Sequence, residues 1–366
     1  MGDAAMISAY VTDTVIAENL RANLAWNAAK NWEPISDDAQ YGKPVCISTL
    51  PHAQNTPAVI VGSGPSLDKA APLLPRFPGA VFCGPSQVRT LDRWSRLPDY
   101  IVAIDSHPVV AEQLKGPFYS STVLLTHQAI DPKVLEFWQW GIRFFRLATD
   151  FDQVQQAMYP WLRVRFTARG CTVNAAVQLA AWLGYSPIYL VGVDFGFPEG
   201  RLRATDWEPR GAHAYNKVEP RTAYDKKQSV FTDEAEKNSR NGIVEHRGIM
   251  TTREMLYYRL LLLAIWKARH PHLWSCSEGI LQELPWVSFD EVIEGDYQEG
   301  EYPSNDAIDR IVDRELIPAG MFVEANGNIT NIEEILDRID QTRSELSALE
   351  SQSEKWNHSA DGWERS

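Results

Sequence analysis

The chain has 366 residues with 44% apolar and 11% aromatic side chains, a composition that predicts a folded protein with a substantial core. Its formal net charge of −13 repels phosphate backbones, which excludes nucleic acid as a partner. Mean hydropathy is −0.30, and no apolar stretch is long enough to predict a membrane span. The four cysteines form no C-x-x-C pair, which indicates neither a disulfide framework nor a zinc site and favours a reducing cytoplasm: Cys46, Cys83, Cys171 and Cys276.

A helical segment is predicted within residues 1–56. Apolar side chains recur at helical spacing between Met6 and Trp32. Pro34 and the Ser-Asp-Asp run after it predict the end of this helix, and an irregular stretch then leads to Pro57.

Short apolar runs after Pro57 predict strands of one parallel sheet. The first ends in a glycine-rich loop, and the runs are Ala58–Val61, Ala80–Phe82, Tyr100–Ile104, Thr122–Leu125 and Ile188–Val193. Helical segments lie between several of them, most clearly the alanine-rich residues 173–183. This alternation predicts an α/β fold over residues 57–289: a Rossmann-like, mostly parallel sheet with helices on both faces, plus helical N- and C-terminal additions.

The second half of the chain contains a long polar segment. Residues from about 196 to 248 are aperiodic, which predicts a functional loop or lid. Thr251 and Glu254 then form a capping box for a helix that continues to about Arg269. Residues 290–366 are predicted to be an acidic linker with C-terminal helices, one of which begins at Asn331. The terminal helices offer surfaces for a homo-oligomer.

The strongest functional signal is the loop after the first strand, Gly62-Ser63-Gly64-Pro65-Ser66. Glycines let the backbone turn tightly and bring amide N–H groups close to an oxyanion, and the serine hydroxyls add donors, so phosphate is the expected ligand. A glycine turn after a strand is also common in α/β proteins without a ligand. The third glycine of the dinucleotide fingerprint is absent, which disfavours NAD.

Further polar residues stand at the same predicted edge of the sheet. Asp105 and Asp194 follow strands at their carboxyl ends, where α/β sheets bind ligands, although each also suits the cap of a turn. The turn with Gly170 and Thr172 precedes the alanine-rich helix, where Thr172 suits either an N-cap or a ligand donor. Glu278 follows a short apolar run and either reaches a ligand hydroxyl or lies in an ordinary turn.

Three histidines are candidates for a general base near neutral pH. His213 lies within the predicted lid, and His107 and His127 follow other predicted strands. The alternative for each is a loop histidine without a role. The sequence alone does not rank them.

Three blocks of sequence follow one another in a recognisable order. They are residues 60–67 (IVGSGPSL), residues 97–105 (LPDYIVAID) and residues 170–194, which end in LVGVD. Together they resemble the MptE-like family, which includes archaeal hydroxymethylpterin pyrophosphokinases and the motility-associated (Maf) flagellin glycosyltransferases, and which is more distantly similar to bacterial sialyltransferases. Two shorter segments, His213-Ala214 and Ser277-Glu278-Gly279, resemble motifs of the glycosyltransferase branch.

The resemblance implies a nucleotide-dependent transferase, and the cysteine pattern given above favours a cytoplasmic location. The favoured form is a glycosyltransferase that moves a CMP-linked nonulosonic acid, or a similar nucleotide sugar, to a hydroxyl of a protein or glycan acceptor. His213 and Asp194 are then the predicted catalytic residues, and no metal is assigned. The predicted nucleotide contacts are Gly62, Ser63, Gly64, Pro65, Ser66, Ser86, Asp105, Gly170, Thr172, Asn174 and Glu278.

Two other functions stay open. A pyrophosphokinase of the hydroxymethylpterin type would use ATP, with Asp105 and Asp194 holding magnesium. A binding or assembly protein would keep the fold without the chemistry. The family often has an asparagine facing the nucleotide after the second strand, where this chain has Cys83-Gly84-Pro85-Ser86, so Ser86 is the candidate substitute donor.

Overall fold

The computed structural model describes residues 14–40, 42–43, 45–115, 121–138, 141–147, 156–166, 171–201, 204, 243–295, 302–317, 319, 321–323 and 329–331. Their centre is a parallel sheet of eight strands: β1 (Ala58–Val61), β2 (Ala80–Cys83), β3 (Tyr100–Ala103), β4 (Val123–His127), β5 (Ile142–Leu147), β6 (Arg165–Phe166), β7 (Ile188–Val191) and β10 (Leu273–Ser275). The strand order is β10-β7-β1-β2-β3-β4-β5-β6.

Helices cover both faces of this sheet. On one face, α6 (Thr172–Trp182) and α7 (Arg253–Arg269) share a core with alternate strand residues. The opposite core includes side chains of the short helices α2 (Leu67–Ala70), α3 (Val88–Arg93), α4 (Val109–Leu114), α5 (Pro132–Phe137) and α8 (Phe289–Glu294). The predicted α/β fold with a parallel sheet is confirmed. The predicted division of the chain into three segments stays a prediction.

The first strand illustrates why apolar runs predicted strands correctly. All four residues of β1 are buried, with Ala58 and Ile60 in the core beneath α6 and α7 and Val59 and Val61 in the opposite core. Successive side chains of a strand point to opposite faces, so a strand covered on both faces is apolar throughout.

The order of the strands reverses direction between β1 and β7. From β1 the chain adds strands one after another as far as β6, and it then returns to place β7 and β10 on the other side of β1. The loops after β1 and β7 therefore leave the carboxyl edge of the sheet in opposite directions. A reversal of this kind is a topological switch point, where open α/β sheets bind their ligands.

The N-terminal helix differs from its prediction. Helix α1 spans Thr14–Gln40 and continues through Pro34, so the predicted break is wrong. Proline removes one backbone hydrogen bond from a helix interior. Tertiary contacts on either side hold this helix together, because Asn31 hydrogen-bonds to a neighbouring loop and Ile35 is buried. Residues 6–13 of the predicted helix lie outside the described residues.

Helix α7 begins one residue later than the capping box of Thr251 and Glu254 predicted. Thr252 is the N-cap of α7, and its hydroxyl accepts a hydrogen bond from the Met255 amide at 3.1 Å. The Thr251 hydroxyl instead donates to the Phe195 carbonyl at 2.6 Å. Thr251 thus ties the segment after β7 to the start of α7.

An antiparallel hairpin precedes α7, formed by β8 (Ile243–His246) and β9 (Ile249–Thr252). The first of these strands lies within the segment that was predicted to be an aperiodic lid. Arg247, in the hairpin turn, bonds to Glu315 of α9 (Asn305–Leu316) at 2.7 Å. The buried Arg259 of α7 contacts the same Glu315 at 2.7 Å, so an ionic cluster fastens the hairpin to two helices.

The C-terminal part contains α9 and a second antiparallel hairpin of β11 (Met321–Val323) and β12 (Ile329–Asn331). Asn331 ends a strand, and the helix predicted to begin there lies outside the described residues. Strands β5 and β6 at the edge of the large sheet were not predicted. Within the described ranges, none of the helices has the length and apolar character that a membrane span needs.

Candidate functional site at the switch point

The glycine-rich loop after β1 packs directly against the segment after β7. The Gly62 amide donates to the Val191 carbonyl, and the Gly64 amide donates to the Gly192 carbonyl, each at 2.8 Å. A Cβ on Gly62 would lie 2.2 Å from the Gly192 oxygen, which no side chain permits. Glycine at 62 is therefore required by the approach of two backbones.

Asp194 joins the segments that meet at this point. One carboxylate oxygen accepts the Ser66 amide at 2.9 Å and the other accepts the Glu278 amide at 3.3 Å. The side chain is 2% exposed. Burial raises the pKa of the Asp194 carboxyl above its usual value, and the hydrogen bonds from Ser66 oppose that rise. These contacts give Asp194 a structural function, and its catalytic role stays a prediction.

The segment after β10 completes the junction. The Ser277 hydroxyl accepts from the Val193 amide at 2.9 Å and donates to the Leu190 carbonyl at 3.2 Å. A Cβ on Gly279 would lie 1.8 Å from the Asp194 carbonyl oxygen. Sequence reasoning assigned no packing role to Ser277 or Gly279, although the Ser-Glu-Gly motif and its glycine were visible.

The amides of the glycine-rich loop make other contacts than the predicted ones to a phosphate. Those of Gly62, Gly64 and Ser66 donate to the β7 segment and so do not form the phosphate cradle expected of them. Among the described residues the Ser63 amide has no acceptor, and Pro65 has no N–H to offer. Ser63 is half-buried, so its amide and hydroxyl are the donors of this loop best placed for a ligand.

Charged side chains surround the start of α2, beside the loop. Lys69 forms an ion pair with Glu278, whose side chain is exposed. Arg201 contacts Asp68 at 2.5 Å and donates to the Pro65 carbonyl at 3.2 Å. The predicted contact of Glu278 with a ligand hydroxyl stays a prediction.

The beginning of α6 faces the loop after β2. A Cβ on Gly84 would lie 3.2 Å from the Thr172 methyl group. Thr172 is the first helical residue, and the N-cap is Cys171 without a side-chain cap, so capping by Thr172 is wrong. The first N–H groups of a helix bind anions, and Thr172 places the start of α6 beside the Gly84 loop. Ser86 is half-buried in a 3-10 turn, Pro85–Gln87, on the same loop.

Two other predicted nucleotide ligands make contacts within the protein. The fully buried Asn174 donates to the Tyr258 carbonyl of α7 at 3.1 Å, which places its side chain between two helices. A carboxylate oxygen of Asp105 accepts the His107 amide at 2.8 Å in a local turn. Their contact with a nucleotide stays a prediction, and Gly170 lies outside the described residues.

The candidate bases occupy different surroundings. His107 is exposed, and its Nδ1 accepts the Val109 amide at 3.2 Å. His127 is fully buried, its Nδ1 accepts the Ala129 amide at 3.3 Å, and burial lowers its pKa to about 4. His213 lies outside the described residues. Within the part of the chain described, no group of three or more His, Cys, Asp and Glu side chains could hold a metal ion.

The parallel sheet and its junction at the switch point define a doubly wound α/β protein. Residues 27–200 match the model of the family described as 6-hydroxymethylpterin diphosphokinase MptE-like. This match confirms the resemblance to the MptE-like family over slightly less than half of the chain.

A solved structure is also similar, that of the Maf glycosyltransferase from Magnetospirillum magneticum AMB-1. It shares 19% identity with this chain at a TM-score of 0.48, over 73% of this chain and 38% of the other. This chain therefore spans well under half the length of that protein. No curated protein matches.

Proposed function

We propose that this protein is a nucleotide-dependent transferase, and specifically a glycosyltransferase that uses a CMP-linked nonulosonate or similar nucleotide sugar on a hydroxyl acceptor. One observation carries the proposal. The Gly62 loop, Asp194 and the Ser277–Gly279 motif are far apart in sequence, yet they meet at one topological switch point. Ligands of open α/β sheets bind at such points, and the last of the three motifs belongs to the glycosyltransferase resemblance.

The nucleotide phosphate is proposed to lie between Ser63 and the start of α6. Ser63 contributes an amide and a hydroxyl, and the first turn of α6 contributes N–H groups that no side-chain cap occupies. Ser86, in the loop after β2, is proposed to contact the ribose. The Ser63 carbonyl accepts a hydrogen bond from the Ala204 amide, which helps to hold this residue in place, and donors held in place favour stabilisation of developing charge.

The proposed reaction forms a bond between the acceptor oxygen and the anomeric carbon of the sugar. The bond from that carbon to the phosphate oxygen breaks, and CMP leaves with the electron pair. A general base takes the proton of the acceptor hydroxyl, and His213 is the proposed base. The Ser63 and α6 donors stabilise the negative charge on the leaving phosphate.

The family description favours a second candidate, an ATP-dependent diphosphokinase. That reaction calls for magnesium at the phosphates, for which Asp105 and Asp194 were the predicted ligands. Both oxygens of Asp194 already accept backbone amides, and Asp105 closes a local turn. This pair does not fit a magnesium site, which ranks the diphosphokinase second.

Thermal and urea unfolding with CMP, CDP, UDP, GDP and ATP, each with and without magnesium, tests the proposal. A ligand at a hundredfold excess over its dissociation constant stabilises the native state by about 2.7 kcal/mol. We expect CMP to stabilise the protein without metal. Ser63→Ala should weaken that effect, whereas Ser36→Ala on α1, a matched hydroxyl removal away from the junction, should leave it unchanged.

The other outcomes choose between the candidates. Stabilisation by ATP only in the presence of magnesium supports the diphosphokinase. No stabilisation by any nucleotide contradicts both enzymes and supports a binding protein.

A further inference from the structure

Helix α1 is held on the carboxyl edge of the sheet by two asparagines one turn apart. The Asn27 amide nitrogen donates to the carbonyls of Ser106 and Ala129, at 2.9 and 3.2 Å. The Asn31 amide nitrogen donates to the carbonyls of Gln128 and Ile130, at 2.9 and 2.8 Å. Both side chains are buried, so α1 roofs the loops after β3 and β4.

Polar atoms without partners lie beneath this roof. Among the described residues, no hydrogen-bond partner is found for the Ser106 hydroxyl, the Asn31 amide oxygen or either polar atom of the Gln128 side chain. All three residues are 1% exposed or less. An unsatisfied buried polar atom costs about 1–3 kcal/mol, so such atoms grouped at one place indicate a polar guest.

The side chains of this cluster carry no charge. It presents a hydroxyl, an amide donor and amide acceptors, and the adjacent His127 is uncharged at neutral pH because burial lowers its pKa to about 4. The carboxylates of the same loops, Asp105 and Asp131, accept the backbone amides of His107 and Lys133. Uncharged groups that both donate and accept hydrogen bonds, such as sugar hydroxyls and acetamido groups, fit these partners.

The position suits the transferred sugar. The order β1-β2-β3-β4 puts the cluster two to three strand spacings from the Gly62 loop, which is about 10–15 Å along the same carboxyl edge. An extended nucleotide sugar with its phosphate at the Gly62 loop can span that distance.

We propose that α1 covers a second subsite, lined by Ser106 and Gln128 and roofed by Asn31, which binds the uncharged hydroxyl and amide groups of the sugar. The inference rests on the proposed function, because the nucleotide occupies the neighbouring switch point. Because the lining side chains are buried, entry of the sugar requires α1 to lift from the two loops.

Calorimetric titration with CMP and with CMP-N-acetylneuraminate tests this subsite in three proteins: wild type, Gln128→Met and Gln178→Met. Methionine is apolar and adaptable, so it removes both unpartnered atoms of Gln128 while filling their space. Gln178 on α6 donates to the Asn174 carbonyl in its own helix and is the matched control. Wild type and control should bind the sugar nucleotide about tenfold more tightly than CMP, the effect of one to two hydrogen bonds.

In Gln128→Met that preference should vanish with the CMP affinity unchanged. Its urea midpoint should equal or exceed that of wild type, because two buried unpaired atoms are gone. Ser106→Ala is a smaller change at the same site and should reduce the preference if Gln128→Met does not fold.

The outcomes separate the two proposals. A preference for the sugar nucleotide that survives in Gln128→Met and Ser106→Ala overturns the subsite and leaves the polar atoms to internal water. Equal binding of both compounds by wild type also overturns the subsite but keeps the nucleotide site. If wild type binds neither compound, the CMP-sugar function fails, and the subsite fails with it.

Discussion

The switch point and the α1 roof lie on the same edge of one sheet, and they satisfy their polar groups very differently. At the switch point the Asp194 carboxylate, the Ser277 hydroxyl and the amides of Gly62, Gly64 and Ser66 have partners, and glycines bring the backbones into contact. Under α1, buried polar atoms of Ser106 and Gln128 have no partner among the described residues. The first region is a rigid joint, whereas the second keeps hydrogen-bonding capacity that the described residues do not use.

The largest expected effect breaks the joint. Gly279→Ala places a methyl group 1.8 Å from the Asp194 carbonyl oxygen, and we expect a loss of about 3 kcal/mol or more in the free energy of unfolding by urea. Gly248→Ala in the β8–β9 turn is the control, since its Cβ would meet nothing within 4 Å. Its left-handed φ of +79° alone should cost about 1–2 kcal/mol. Equal losses in the two variants would contradict the close contact at Gly279.

The pH dependence of stability probes the region under α1. His127 has its pKa lowered from 6.5 to about 4 by burial, so the unfolded chain binds a proton that the folded state does not. The contribution of the neutral His127 to the free energy of unfolding is complete above pH 6.5. It is lost as the pH falls towards 4, by up to about 3 kcal/mol. His127→Gln should abolish this part of the profile, measured as urea unfolding between pH 7 and pH 4.

The exposed His107, replaced by glutamine, is the control for loss of a histidine at the same edge. A profile for His127→Gln that falls as steeply as that of wild type would show that His127 is not the group responsible.

A smaller loss of stability is expected when the hydrogen bonds from α1 to the loop after β4 are removed. Asn31→Ala removes the donor to two buried carbonyls and should cost about 2 kcal/mol. Glu33→Ala, on an exposed position of the same helix, should change stability by less than about 0.5 kcal/mol. Amide hydrogen exchange of the Gln128–Ile130 loop should accelerate in Asn31→Ala alone. Unchanged exchange would mean that Asn31 does not hold α1 down.

The smallest effect is expected at the exposed rim of the joint. The Lys69–Glu278 ion pair is largely in solvent, so Lys69→Ala should change unfolding free energy by less than about 1 kcal/mol, and less still in high salt. A double-mutant cycle with Glu278→Gln measures the pair itself. A coupling of several kcal/mol would place the pair within the rigid joint.

Much of the sheet was predictable because its central strands are covered on both faces. β1, β2 and β7 are runs of buried apolar residues, and the sequence marks them plainly. β5 was missed because Arg143 and Arg146 interrupt its apolar pattern, and β6 is only two residues long. Pro34 misled the prediction of α1 because the contacts that carry the helix past it come from distant loops.

The candidate site was predictable in place but not in mechanism. The Gly62 loop and Asp194 were assigned to one sheet edge from the positions of their strands. A glycine that turns amides toward a phosphate and one that admits a neighbouring backbone look identical in sequence. The structure distinguishes them, because a Cβ on Gly62 would lie 2.2 Å from the Gly192 oxygen. Asn27 and Asn31 gave no signal because the carbonyls they bind lie about a hundred residues further along the chain.

The connection between β7 and β10 has both of its ends tied to the joint. The Ala204 amide donates to the Ser63 carbonyl, and the Phe197 amide donates to the Met250 carbonyl of β9. Ala204 thus contacts the Gly62 loop, and Phe197 contacts the β8–β9 hairpin. The connection after β7 therefore helps to position Ser63, so a change in that connection can reach the proposed phosphate donor without altering the strands of the sheet.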